Sequence, residues 1–251
     1  VTRARTARPP GPLLGERLRR LGGDGEHRLV CFGHAGASRA VFRPWVNRLA
    51  DRYTLFAAPT WAGNGLAPGS DADWVSLVGE TAHAVPAGPG PLTLVGHSMG
   101  ALLAYEVTRL LRHAGRPVAR LVVSGRDAPG PTRPEERPED PVALLEWAAA
   151  RWGGVPPEML ADRDAARLIG GRLRADLDLH DRYRHSPGPL PDVPVLVVDA
   201  SGDPVTTAVG TTAWARHTTG PTTVHTVPGG HFAPLVHLPP LLRRAAEESS
   251  R

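Results

Sequence analysis

Short apolar runs recur along the chain, separated by stretches whose apolar residues follow a helical period. The β-like runs fall at Arg28 to Phe32, Thr54 to Ala58, Leu92 to Val95, Ala119 to Ser124, Val195 to Ala200 and Thr222 to Val227. Helical patterns over Ala40 to Ala50, Asp73 to Val85, Met99 to Ala114, Val205 to His217 and Pro234 to Ala246 stand between them or follow the last. Strands of this kind alternating with helices predict an α/β fold, with a mostly parallel central sheet covered by helices on both faces.

The rhythm breaks from Pro129 to Pro191, where no strand pattern occurs. Helical pieces follow one another there: Pro141 to Trp152, Pro156 to Leu160, Asp164 to Leu173 and Leu177 to Arg184. Proline-rich, charged flanks at both ends mark this as an inserted helical cap, or lid, over about 130–190. Roughly sixty weakly amphipathic residues make a marginal core by themselves. The expectation is therefore one domain over 27–251 with a lid insertion, preceded by a flexible Arg/Pro-rich leader at 1–26.

Composition narrows the function without naming it. The 251 residues carry 29 basic against 25 acidic side chains, and every basic one is arginine. Much of the excess lies before Leu21, in a segment with no aromatic residue, so the interleaved basic and aromatic pattern of a nucleic-acid site is missing. A single cysteine, Cys31, excludes an internal disulfide and a cysteine metal cage, and its apolar surroundings predict a buried small hydrophobe. With no apolar stretch of membrane-spanning length and no apolar signal core, the expectation is a soluble cytoplasmic protein.

The chemistry is concentrated after the strand at Leu92 to Val95, in Gly96-His97-Ser98-Met99-Gly100 leading into a helix. This is G-x-S-x-G between strand and helix, a turn tight enough to strain the serine and expose its hydroxyl, with glycines where side chains would collide. The helix start offers free N–H groups to a developing oxyanion. A serine needs a base and an acid to orient that base. Asp203 follows the strand at Val195 to Ala200, and His231 follows the last strand in a glycine-lined loop. The order Ser98, Asp203, His231 is that of an α/β-hydrolase. Asp127, just past the strand at Ala119 to Ser124, is the rival acid.

The oxyanion hole is assigned to the N–H groups of Met99 and Ala35, the latter in the small-residue loop after the first strand. His34 shapes that loop. His97 is expected to turn away from the nucleophile, and is grouped with His34 and Trp61 in the substrate surroundings. Trp147 and Trp152 read as lid core. There is no H-E-x-x-H, and Gly63-Asn64-Gly65 lacks the third glycine of a dinucleotide fingerprint, so neither a metal nor a nucleotide cofactor is expected.

From Leu29 to Leu242 the chain resembles the type II, or editing, thioesterases that accompany polyketide and nonribosomal peptide synthases. The motifs that carry the resemblance are Cys31-Phe32-Gly33-His34-Ala35-Gly36, the elbow continued through Glu106, Val123-Ser124-Gly125-Arg126-Asp127-Ala128-Pro129, Leu173-Arg174-Ala175-Asp176, and Pro228-Gly229-Gly230-His231-Phe232. Two departures stand out. Gly33 replaces the proline usual before the loop histidine, and Pro59-Thr60-Trp61-Ala62-Gly63-Asn64-Gly65 replaces a Pro-Gly-Arg-Gly-like segment. The resemblance implies an acyl thioester presented on the phosphopantetheine arm of an acyl or peptidyl carrier protein. Alternatives with the same residues are a chain-releasing cyclase or acyl transferase, a general carboxylesterase, and a binding module without turnover.

Overall fold

The computed structural model describes residues 18–58, 74–130, 135–185 and 187–249. Seven strands form one sheet: β1 (Arg19–Gly22), β2 (His27–Phe32), β3 (Tyr53–Ala58), β4 (Leu92–His97), β5 (Arg120–Ser124), β6 (Val195–Ala200) and β7 (Thr222–Val227). Their spatial order is β1-β3-β2-β4-β5-β6-β7. Every neighbouring pair is parallel except β1 with β3.

The inner strands read as nearly unbroken apolar runs because both faces are covered. Along β2, Val30 and Phe32 pack on one face and Leu29 and Cys31 on the other; along β6, Val195 and Val197 oppose Val198 and Ala200. One face is roofed by α2 (Trp74–Ala84) and α3 (Met99–His113), the other by α1 (Arg43–Leu49) and α8 (Ala233–Ser249). Helix α3 is buried on nearly every side through Thr108, which places its first turn deep in the molecule.

Helix α8 contains Pro239 and Pro240, which remove two N–H groups from its hydrogen-bond ladder. The carbonyls four residues earlier are used elsewhere. Trp45 Nε1 donates to Leu235 O at 2.9 Å and an Arg48 guanidinium nitrogen to Val236 O at 3.4 Å, so α1 takes over what the prolines release. The helix predicted over Val205 to His217 is shorter, α7 (Ala208–Thr212) running into a 3-10 turn at Ala213–His217.

The lid consists of α4 (Pro141–Trp152), α5 (Pro157–Ala161) and α6 (Arg163–Asp181). Asp140 and Asp162 cap α4 and α6, each carboxylate accepting from two backbone N–H groups. The pieces predicted at Asp164 to Leu173 and Leu177 to Arg184 are one helix, whose buried face runs on through Leu173, Ala175, Asp176 and Leu177. Gly170 lets α6 pack directly on the Pro141 backbone, where a Cβ would overlap it. Part of the expected leader is also ordered: Arg19 to Gly22 is an edge strand. Only Leu18 and Leu21 signal it, and its stability comes from pairing with β3 rather than from its own pattern.

Candidate active site

Ser98 sits between β4 and α3 at φ 57°, ψ −122°, a backbone state rarely adopted by side-chain-bearing residues. Its surroundings hold it there. Its N–H donates to Ser124 O at 2.8 Å and its carbonyl accepts from Ala101 N at 3.0 Å. A Cβ at Gly96 would overlap the Gly100 carbonyl, and one at Gly100 would overlap the carbonyls of Phe32 and Gly33. Both glycines of the G-x-S-x-G turn are thus required by close backbone approach.

Asp203 and His231 come from the loops after β6 and β7, which are pinned together by Ser201 N to Val227 O at 2.9 Å and Gly202 N to Gly229 O at 2.8 Å. The His231 Nδ1 lies 3.0 and 2.9 Å from the two Asp203 carboxylate oxygens. The carboxylate is fully buried and takes a further bond from Val205 N at 2.8 Å. This fixes Nδ1 as the protonated nitrogen and leaves Nε2 as the basic one. Asp127 is occupied elsewhere: it accepts from the Thr207 N–H and hydroxyl at 2.9 and 3.1 Å.

Ser98 and His231 line one cavity of about 520 Å³ with His34, Ala35 and Met99. The first turn of α3 leaves the Met99 N–H without a helical partner, and neither it nor the Ala35 N–H makes a backbone hydrogen bond among the described residues. His34 Nδ1 donates to Ala35 O at 2.9 Å, and its ring meets Phe232 edge-on at 4.9 Å. Burial pushes the His34 pKa down to about 4, partly opposed by that bond, so the ring is neutral near pH 7. The Gly36 N–H donates to the buried carboxylate of Asp176 on α6 at 2.7 Å, which ties the Ala35 loop to the lid.

His97 does not line the cavity. It ends β4 beneath the turn, 1% exposed, with Nδ1 3.0 Å from Ser124 Oγ and its ring 4.8 Å from that of His231. Expected to turn away from the nucleophile and grouped with the substrate surroundings, it is placed by the structure behind the cavity lining, packed against His231. Burial, then the neighbouring His231 and His34, hold its pKa well below the usual value. Trp147 and Trp152 pack against the lid core as expected, and Trp152 also lines the cavity: its ring stands 6.3 Å from that of His231, with Trp147 edge-on to it at 5.2 Å. Trp61 lies outside the described residues. Burial raises the Cys31 thiol pKa, so that side chain stays protonated.

Sequence reasoning missed Phe232, Arg126, Arg137, Arg151, Leu177 and His180, which also face the cavity. Apart from Arg126 and Phe232, each adjacent to a residue already singled out, these come from the lid and its flank, whose placement over the sheet has no local signal.

A family model described as thioesterase domain matches residues 27–247. The chain belongs to the thioesterase family. This thioesterase is 33% identical over 222 residues to Thioesterase PikA5 of Streptomyces venezuelae, covering 82% of this chain and 74% of that one. It superposes with TM-score 0.77 on the type II thioesterase BorB from the borrelidin biosynthetic cluster, at 30% identity over 92% of this chain and 96% of that one. With the thioesterase RedJ from the prodiginine pathway of Streptomyces coelicolor the TM-score is 0.72, at 31% identity over 90% and 88% of the two chains. The thioesterase is accordingly a hydrolase of thioester bonds, of the type II class found with polyketide and nonribosomal peptide synthesis, on an α/β-hydrolase fold. None of its described helices is long and apolar enough to cross a membrane.

Proposed function

We propose that this thioesterase edits carrier-bound intermediates, hydrolysing acyl groups from the phosphopantetheine arm of an acyl or peptidyl carrier protein through an acyl-Ser98 intermediate. The observation that carries this reading is the convergence of a strained Ser98 and the buried Asp203–His231 pair on one cavity under a lid. His231 Nε2 takes the Ser98 proton as Oγ attacks the thioester carbonyl, and the Met99 and Ala35 N–H groups face the resulting oxyanion. The C–S bond then breaks, and the sulfur leaves with the proton from His231. Water, deprotonated by His231, attacks the acyl-serine; Ser98 recovers its proton and the free acid departs. Asp203 holds the tautomer and stabilises the imidazolium.

An anionic partner is supported by a second cleft, beyond the loop that carries Ala35. Among the described residues Arg19, Arg20, Arg39, Arg43 and Arg172 line it and no carboxylate does, Arg20 pairing with Asp24 at 2.6 Å outside the lining. Its walls, the segment Ala37 to Ala40 and Arg172 of α6, continue the loop and helix that also bound the catalytic cavity. An acidic carrier held there would sit within reach of the pocket mouth.

The test is incubation of the protein and Ser98→Ala with a panel of acyl-carrier proteins, following free acid, cyclic product and acyl-serine by mass spectrometry. Free acid and a trapped acyl-Ser98 from the parent alone are expected. A cyclic or transferred product would replace hydrolysis with chain release, and turnover surviving in Ser98→Ala would overturn the nucleophile assignment.

A further inference from the structure

Among the described residues three arginines face the catalytic cavity, and two of them hold a carboxylate through their terminal nitrogens. Arg137 holds Asp181 through both terminal nitrogens at 2.9 Å, and Arg151 pairs with Glu135 at 2.6 Å. Asp127, the remaining acid on the wall, is committed to Thr207. The third arginine, Arg126, makes no side-chain hydrogen bond or ion pair among the described residues, and its Nε is sealed from solvent without a partner. The residue is partly buried and the nearby charge of Asp127 favours its cationic form, but no carboxylate is bonded to it, so its guanidinium is open to a partner arriving from outside the chain.

The position of Arg126 is as informative as its lack of a partner. It follows Gly125 at the end of β5, where φ is +59° and a Cβ would press on the rings of His97 and His231. Its carbonyl accepts from the indole of the buried Trp214 at 3.0 Å, so the backbone from which the guanidinium extends is anchored. Beside it on α6, His180 also faces the cavity with its Nε2 buried and unpartnered, while its Nδ1 lies 3.4 Å from Asp181. Burial above all lowers the His180 pKa, Asp181 opposing and the charges of Arg126 and Arg137 adding to the fall. The same low-dielectric setting strengthens any bond that Arg126 makes to an anion.

We propose that Arg126, flanked by His180, is a recognition subsite for an anionic oxygen group of the substrate, either a carboxylate carried on the acyl chain or the phosphate of the pantetheine arm. A guanidinium offers two parallel N–H donors that match either group. A purely aliphatic chain entering this side of the cavity leaves the cation unmatched, so the wall selects for charge where an acyl pocket would otherwise be apolar. The subsite deepens the acyl-Ser98 reading and shares its cavity, but binding at Arg126 is measurable without turnover.

Calorimetry on Ser98→Ala provides the test. One pair of ligands, propionyl and methylmalonyl thioesters of N-acetylcysteamine, differs only by a carboxylate. A second pair, propionyl-pantetheine and propionyl-phosphopantetheine, differs only by a phosphate. One charged member is expected to bind about 10- to 100-fold tighter than its uncharged counterpart. The advantage disappears in Ser98→Ala/Arg126→Gln and returns in part with Arg126→Lys, at unchanged melting temperature. Which pair shows the difference identifies the anion. Equal affinities within both pairs, no binding of any ligand, or an advantage that survives Arg126→Gln overturns the subsite. Parent turnover of the propionyl N-acetylcysteamine thioester tests the acyl-Ser98 reading separately.

Discussion

At the scale of single residues, the Asp203–His231 pair shows how burial creates a functional state. With both carboxylate oxygens at about hydrogen-bond distance from Nδ1 and a third bond from Val205, Asp203 has no freedom to release the ring. Asp203→Asn keeps the size but offers an amide that stabilises the wrong tautomer. Its kcat on a small thioester is expected to fall by roughly 10³- to 10⁴-fold, with KM little changed. A loss below about tenfold would return Asp127 to contention. The G-x-S-x-G spacing and the chain order were sufficient to single out Ser98, Asp203 and His231, because each stands in a turn directly after an apolar strand. Arg126 stands in a family motif, but nothing in the residues beside it reveals whether a distant carboxylate will bond to it.

At the scale of elements, the lid is joined to the loop that carries Ala35 by a hydrogen bond to a buried carboxylate. Gly36, at φ +76°, lies against Leu173 of α6 and donates its N–H to Asp176, so the loop that carries Ala35 is positioned by a helix far along the chain. Asp176→Asn weakens a charge-assisted bond to a neutral one, worth roughly 1 to 2 kcal/mol. The expected result is a fall of about tenfold in kcat and in the rate of fluorophosphonate labelling of Ser98. A lower melting temperature with an unchanged labelling rate would make Asp176 structural only. The six strands β2 to β7 and most helices were legible from periodicity. Strand β1 was not, because an edge strand of four residues needs no apolar face of its own, and the unbroken α6 was hidden by charged residues on its exposed side.

At the scale of the whole molecule, two predictions follow from charge. His34 and His97 are held neutral, with pKa values below the usual 6.5 because burial disfavours the imidazolium. Below pH 6.5 the unfolded chain binds protons that the folded chain refuses, so stability rises with pH in this window and is lost as pH falls from 6.5 toward 4. His34 alone contributes a loss of up to about 2 kcal/mol by pH 5. Urea midpoints measured at pH 7 and pH 5 check this, and an unchanged midpoint would contradict it. The arginine cleft yields the second: kcat/KM on a carrier-bound substrate falls as salt rises from 50 to 300 mM, roughly in line with Debye screening, whereas that on a free thioester does not. Equal salt responses would remove the cleft from carrier binding.

The sequence by itself determined the strand and helix alternation, the G-x-S-x-G turn and the order of Ser98, Asp203 and His231. These depend on local period, on glycines without which the backbone cannot approach itself, and on turns placed at strand ends. Only the tertiary structure decided that His97 packs against the ring of His231 behind the cavity, that Trp152 lines the cavity as well as the lid core, and that Arg126 bonds no carboxylate among the described residues. Those outcomes depend on which distant side chains burial brings within a few ångströms of one another, and no run of neighbouring residues encodes that.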